Sequence, residues 1–430
     1  MSVYPRNLSA FLNRLSGYNK NNIKMNVLGA TSAKNGDTIQ VDLPTNSIVD
    51  LSSLAWAFKV VYDTPSVATK IEALPVQAEA LISRLAVEVN GQTLVNLQNY
   101  NVLYHTLLYM SATEDYQRQR MVAQSNAGLD DGTLHGQCED ITNAGANATS
   151  TREHVVDTWL GFLGSAKPSF IDTSLLGNVR ITLTLAGKEI IGGNDTGNAR
   201  TFTISDQHFS CDVISISDGI YDSMLDQMLA SGAPIEVPFK NYFSFTKENA
   251  NMAQNFNFNV ASQSIDRLWA TARKSDHAAG DTAKVAVAKP NHPIVANNCP
   301  SMNFAMCNGT GFHFQINNTL YPNWTSTKAT DHWQHTKLAL GDQGNMLSGS
   351  FPQSIQHYKD NFFVYACQLE HHTDGDERFV SGIDTRGAAA SCYFNSVSDG
   401  GAAVANQTLV FAECTSSLKI YANKVLEVVQ

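Results

Sequence analysis

The chain has 430 residues, of which 43% are hydrophobic and only 16% charged, and it carries a formal net charge of -10 at pH 7. Such a length points to two domains of about 200 residues, and the acidic balance excludes a body that coats nucleic acid, because phosphate binding needs clustered Lys and Arg. No apolar run approaches the roughly 18 to 20 residues of a membrane span, and the opening MSVYPRNLSAFLNR lacks a signal-peptide core, so folding in a cytosol-like compartment is expected.

Residues 1–36 hold Arg6, Arg14, Lys20, Lys24 and Lys34 and no acidic residue, which sets them apart as an amino-terminal arm. Leu8, Phe11, Leu12 and Leu15 fall at i, i+3, i+4 and i+7, a two-turn apolar face opposite Arg14. So short a helix is marginal in water on its own and must order against a partner.

The first strand is expected near Asp37, in DTIQVDLP, opening a β-domain over residues 37–217. LAWAFKVVY continues it, and then comes VEVNGQTLVNLQNYNVLYHTLLYM, Val87 to Met110. Asn90-Gly91 supplies the two positive-φ residues of a tight hairpin turn between alternating strands. Tyr100, Leu103, Tyr104, Leu107 and Leu108 then mark one face of a helix that lies against a sheet. HVVDTWLGF, FIDTSLLGNVRITLTL and HFSCDVISI supply further strands. Between these strands, Ser111 to Arg152 and Ala186 to Arg200 form long polar segments of the kind that build an outer surface.

SDGIYDSMLDQMLASGAP predicts a linker helix over 218–233, capped by Asp218, striped by Tyr221, Met224, Leu225 and Met228, and stopped by Gly232 and Pro234. A second β-domain, 234–430, follows with PIEVPFKNYFSF, NFNFNV, IDRLWATAR, a polar segment from Lys274 to Gly309, and NFFVYACQLE. Its FQINNTLYPNWTSTKATDHWQHTKLAL, Phe314 to Leu340, is a blurred copy of the first hairpin and helix, with Asn317-Asn318 in the turn and Trp333, Thr336, Lys337 and Leu340 at helical spacing.

Three more pairs keep the same order. DTIQVDLP and PIEVPFKNYFSF open the halves, FIDTSLLGNVRITLTL and SGIDTRGAAASCYF each carry Ile-Asp-Thr, and HFSCDVISI and FAECTSSLKIY close them with a cysteine-bearing strand. Four pairs in one order imply a duplicated antiparallel sandwich, all-β with short helices. A charged fraction below the usual value of roughly 25% further suits such a surface to close packing against neighbours.

Reactive chemistry is scarce. The seven cysteines, at 138, 211, 299, 307, 367, 392 and 414, form no CxxC pair; those at 211, 367, 392 and 414 sit in strand-like runs and are expected as buried thiols. HHTDGDE, His371 to Glu377, looks like a metal site, but adjacent residues of a strand point to opposite faces. His332 and His335 are spaced i, i+3 and want a third ligand. Nucleotide-binding, hydrolase and metalloprotease motifs are missing, and the triplets at Asn147, Asn308 and Asn406 carry little weight without a secretory signal. No cofactor, metal or catalytic residue is assigned.

LPTNSIVDLSSLAWAF, ISRLAVEVNGQTLVNLQNYNVLY, LLGNVRITLTLA and ECTSSLKIYANKVLEVV together resemble the double jelly-roll major capsid proteins of tailless double-stranded DNA viruses of protists, of the polinton-like virus and virophage type. The resemblance spans nearly the whole chain. It implies two tandem eight-stranded jelly rolls and a homotrimeric, pseudo-hexagonal capsomer in an icosahedral virion. The partners it implies are neighbouring capsomers, pentons and other minor capsid proteins, and it implies synthesis in the host cytoplasm or a virus factory. It would place the arm, with Leu8, Phe11, Leu12, Arg14 and Leu15, on the inner face, touching neighbouring capsomers, genome or an internal membrane. The rival expectation is a carbohydrate-binding or carbohydrate-cleaving β-sandwich protein.

Overall fold

The computed structural model describes residues 18–63, 71–73, 77–109, 140–142, 149–193, 201–216, 219–230, 232, 234–278, 302–340, 354–370, 382–386 and 391–430. Among the described residues, two sets of eight strands form the framework, with shorter strands paired at their margins. The first set is β1 (Tyr18–Asn26), β2 (Thr38–Asp42), β3 (Ile48–Asp63), β4 (Ile82–Val89), β5 (Gln92–Gln98), β6 (Thr149–Val156), β7 (Val179–Leu185) and β8 (Phe202–Ile216). The second is β9 (Ile235–Asn249), β10 (Gln254–Phe258), β11 (Ile265–Lys274), β12 (Gly309–Ile316), β13 (Thr319–Ser326), β14 (Val364–Gln368), β15 (Cys392–Ser398) and β16 (Asn406–Ile420).

In the first half the sheets run β1-β8-β3-β6 and β2-β7-β4-β5. In the second they run β9-β16-β11-β14 and β10-β15-β12-β13, the same order with every number raised by eight. The molecule is therefore two tandem eight-stranded jelly rolls. Burial explains the strands: in β3, Leu54, Trp56, Phe58, Val60 and Tyr62 are buried while Ala55, Ala57 and Lys59 between them are half-exposed, the two-residue period of a sheet with one face inward. Three long connections of the first jelly roll are tied together by a small sheet of Ile71–Ala73, Asp140–Thr142 and Gly192–Gly193.

The Ile-Asp-Thr pair proves to be a structural signature. Thr173 Oγ1 accepts from Ser47 N at 3.0 Å and donates to Pro44 O at 2.7 Å. Thr385 Oγ1 accepts from Ser262 N at 3.1 Å and donates to Val260 O at 2.7 Å. Each threonine thus pins the chain entering the third strand of its jelly roll, and both are buried. The hairpin turns also correspond, with Asn90 and Gly91 at φ 50° and 82° and Asn317 at 54°.

Three expectations need correction. β1 lies inside the stretch assigned to the arm and pairs residue for residue with β8, from Tyr18 opposite Ile216 to Asn26 opposite His208, so the first jelly roll begins at Tyr18 rather than near Asp37. The sequence hides it because YNKNNIKMN is an edge strand, bonded on one side only, with Ile23 and Met25 its sole aliphatic contribution to the inner face. PIEVPFKNYFSF consequently corresponds to β1, whereas DTIQVDLP corresponds to β10. In HVVDTWLGF the strand stops at Val156; Trp159 folds back and donates from its indole to Leu54 O at 2.8 Å.

Of the helices among the described residues, four bear on the site: α1 (Tyr100–Tyr104, continuing with wider turns through His105–Tyr109), α2 (Gly219–Ala230), α3 (Ala329–Leu340) and α4 (Ile355–Asn361). α2 is the expected linker helix, ended by Gly232 at φ 78°. Leu8, Phe11, Leu12, Arg14 and Leu15, the His371–Glu377 run, Asp218, Cys138, Cys299 and Asn147 lie outside the described residues.

Candidate assembly interface

The two jelly rolls meet side to side. β5 and α1 of the first face β9 and the outer surface of the β9-β16-β11-β14 sheet. The helix was expected to bury one stripe; instead every residue from Tyr100 to Leu107 is buried, because one side packs on its own jelly roll and the other on the second.

At the centre Trp269 stacks on Phe411, with centroids 5.5 Å apart, meets the Tyr242 edge at 6.2 Å, and donates from Nε1 to Thr106 Oγ1 of α1 at 3.1 Å. His105 lies 5.6 Å from the Phe304 ring and 3.1 Å from the Gln77 amide; burial pushes its pKa down to about 4. At the rim, Asn99 Nδ2 donates to Thr246 Oγ1 at 3.1 Å and Ser244 Oγ donates to Gln98 O at 2.9 Å. Below, Phe162 meets Phe239 edge-on at 5.3 Å, Lys167 N donates to Pro238 O at 3.0 Å, and Lys240 N donates to Ser165 Oγ at 2.8 Å. Residues of both jelly rolls thus share one apolar cluster across the junction.

Beside it lies a charged cluster. Lys240 Nζ is 2.9 Å from Asp266 Oδ2, 3.0 Å from Thr415 Oγ1, 3.8 Å from Glu370 and 3.9 Å from Glu413. Arg267 Nε sits 3.5 Å from Glu413, and its Nη1 donates to Ala339 O at 3.3 Å. Burial works against the Lys240 ammonium, but Glu413 and Asp266 outweigh it and hold its pKa above the usual lysine range. Burial also pushes the Glu370 carboxyl up. With both carboxylates of Asp266 and Glu413 almost wholly enclosed, the cluster depends on its two cations.

Sequence reasoning missed this junction, although a signal was present. IDRLWATAR and LVFAECTSS are not apolar on alternate positions alone, and nine successive residues of β11, Ile265 to Arg273, are buried. A strand apolar on both faces is covered on both.

Sequence-singled residues elsewhere have structural settings. His332 is fully buried, its Nε2 2.9 Å from Ser326 O, while His335 packs 5.4 Å from the Trp324 ring and 6.2 Å from the Tyr365 ring. Of the α3 positions named from spacing, Thr336 and Leu340 are buried, Trp333 is half-buried and Lys337 is exposed. Among the described residues no group of three metal-ligating side chains comes together. Cys211, Cys392 and Cys414 are buried free thiols, as is Cys307, whereas Cys367 is half-buried. Asn406 is enclosed within β16, while Asn308 is exposed.

No protein-family model matches the sequence, and no curated protein matches it. Solved structures do. The structure of PBCV-1 VP54, fitted into a reconstruction of the virophage Sputnik, superposes with a TM-score of 0.64 at 12% identity, covering 100% of this chain and 99% of that one. The PBCV-1 virus capsid model gives 0.61 at 14% identity over 100% and 99% of the two chains, and the Faustovirus major capsid protein 0.57 at 10% over 94% and 90%. What is common at these identities is the fold, the double jelly roll across the full chain.

Proposed function

We propose that the protein is a major capsid protein, the structural building block of an icosahedral virus shell, acting as a homotrimeric, pseudo-hexagonal capsomer. The observation that carries this reading is the pair of eight-stranded jelly rolls, in one strand order, spanning the length of capsid proteins from PBCV-1 and Faustovirus. Duplication suits the task, since three chains of two similar wedges fill six positions around an axis while the two copies diverge. The role is structural, with the virion as its location and neighbouring capsomers, pentons and minor capsid proteins as partners. Electron microscopy of the purified protein tests this: hexagonal-outlined trimers or shells support it, and specific sugar binding without assembly supports the carbohydrate-binding rival.

The arm belongs to the same proposal. Its face of Leu8, Phe11, Leu12 and Leu15 precedes the β1 edge strand and would grip neighbouring capsomers, genome or membrane on the inner side. Removal of residues 2–17, which spares β1, should leave the trimer mass unchanged and impair particle assembly. Normal particles of unchanged stability would remove the arm from the account.

A further inference from the structure

The charged cluster of the second jelly roll has a geometry that a purely structural ion pair does not need. β9 and β11 flank β16, and these three strands supply Lys240, Asp266 and Glu413. Lys240 stands opposite Thr415, and Arg267 opposite Glu413. Asp266 is the extra residue of a bulge between Ile265 and Arg267, which turns its side chain toward Lys240. A lysine amine on one strand thus meets a carboxyl two strands away, with a second carboxyl on the strand between them.

Three donors converge on the Asp266 carboxyl. Ser264 Oγ donates to Oδ1 at 2.5 Å, Thr415 Oγ1 donates to Oδ2 at 2.6 Å, and Lys240 Nζ reaches Oδ2 at 2.9 Å. Gly382 N donates to Ser264 Oγ at 2.9 Å, which leaves that hydroxyl's own proton for Asp266. The close approach requires glycine, because a Cβ on Gly382 would lie 2.6 Å from Asp266 Oδ1 and 2.4 Å from Ser264 Oγ. Thr415 Oγ1 also accepts from Nζ at 3.0 Å and so holds the amine beside the carboxyl. Glu413 Oε1 lies 3.9 Å from Nζ, and its enclosed Oε2 makes no hydrogen bond among the described residues. With the side chains of Asp266 and Glu413 only 1% and 2% exposed, water hardly competes at this site.

We infer that Lys240 and Asp266 condense after folding into an internal isopeptide bond, with Glu413 as the proton relay. In the freshly folded chain the pair is ionic. The ammonium first passes a proton to Asp266 Oδ2 across their contact, replacing two enclosed charges by a neutral amine and a neutral acid. Nζ then attacks Cγ, and the charge that develops on Oδ1 is met by the Ser264 hydroxyl. Glu413 takes one proton from Nζ and hands it to the Oδ2 hydroxyl, which departs as water. One N–C bond forms, one C–O bond breaks, and no oxidant or other reactant is consumed. Burial opposes the Lys240 charge, but Glu413 and Asp266 hold its proton, so the first transfer is slow and the bond accumulates with age. The product straps β9 to β11 across β16 and closes a covalent loop between residues 240 and 266, a constraint on the unfolded chain like that of a disulfide.

Intact-mass spectrometry of the full wild-type chain, followed during incubation at neutral pH, tests this bond. A species lighter than the sequence by one water should accumulate. After trypsin, cleavage following Lys240 should be lost, and the peptide carrying Lys240 should be joined to 248–267. Lys240→Arg keeps the positive charge without a nucleophilic amine and should hold its full mass. Glu413→Gln should slow the loss of water by about 10²-fold. A wild-type chain that keeps its full sequence mass overturns the bond, as does water lost within a single peptide or lost equally by Lys240→Arg. An unchanged rate in Glu413→Gln overturns the relay. None of these readouts depends on assembly, so failure here leaves the capsomer reading standing.

Discussion

The outer faces of β1-β8-β3-β6 and β9-β16-β11-β14 share one topology and differ in nearly every side chain. Where the second presents Trp269, Phe411, Tyr242 and Arg267, the first presents Ala57, His208, Lys24 and Ala55. The second face is buried inside one molecule and the first is not. Duplication thus left one sheet free to become a permanent core and kept its twin in the style of a surface, with Lys20 Nζ 2.7 Å from Asp212 and Asn22 Nδ2 2.8 Å from it at the exposed edge.

The sharpest way to break this comparison is to truncate matched positions. Trp269→Ala should cost about 3–5 kcal/mol, the range for a buried large aromatic, while Ala57→Ser should stay within roughly 0.5 kcal/mol. Denaturant midpoints measure both; equal effects would erase the distinction between the faces. Next in size, Lys240→Met leaves Asp266 and Glu413 enclosed with Arg267 as the remaining close cation and should cost about 3 kcal/mol. Little loss would mean that water already reaches the cluster.

Acid offers a third lever. The unfolded chain protonates His105 below its ordinary value near 6.5, whereas the buried imidazole resists until about pH 4. The unfolded state binds more protons in that window, so stability falls as pH drops from 6.5 to 4, by about 2 kcal/mol at pH 5 from this residue alone. The difference in stability between pH 7.5 and 5 should shrink by that amount in His105→Gln; an unchanged difference would mean that the junction does not hold this ring neutral. The smallest effect belongs to the bare face. Asp212→Asn should cost less than about 1 kcal/mol in low salt and nothing measurable in high salt, as for an exposed ion pair.

What the sequence disclosed follows local physics. Asn90-Gly91 demands a hairpin whatever surrounds it, the Ile-Asp-Thr segments reuse one threonine network, and the cysteine-bearing closing strands recur as β8 and β16. What it concealed depends on partners distant in the chain. β1 is polar because only one edge is bonded, and Asp266, Arg267 and Glu413 have the composition of a solvated strand face until the first jelly roll covers them. The helical spacing in α1 marked five residues, but a helix enclosed from both sides has no outer stripe for periodicity to reveal.

The most direct test of the central claim is the mass of the purified wild-type chain by light scattering coupled to size exclusion, at micromolar concentration and near-physiological salt. The proposed homotrimeric capsomer predicts a single species of three times 46.8 kDa. A stable monomer of 46.8 kDa under those conditions would contradict it.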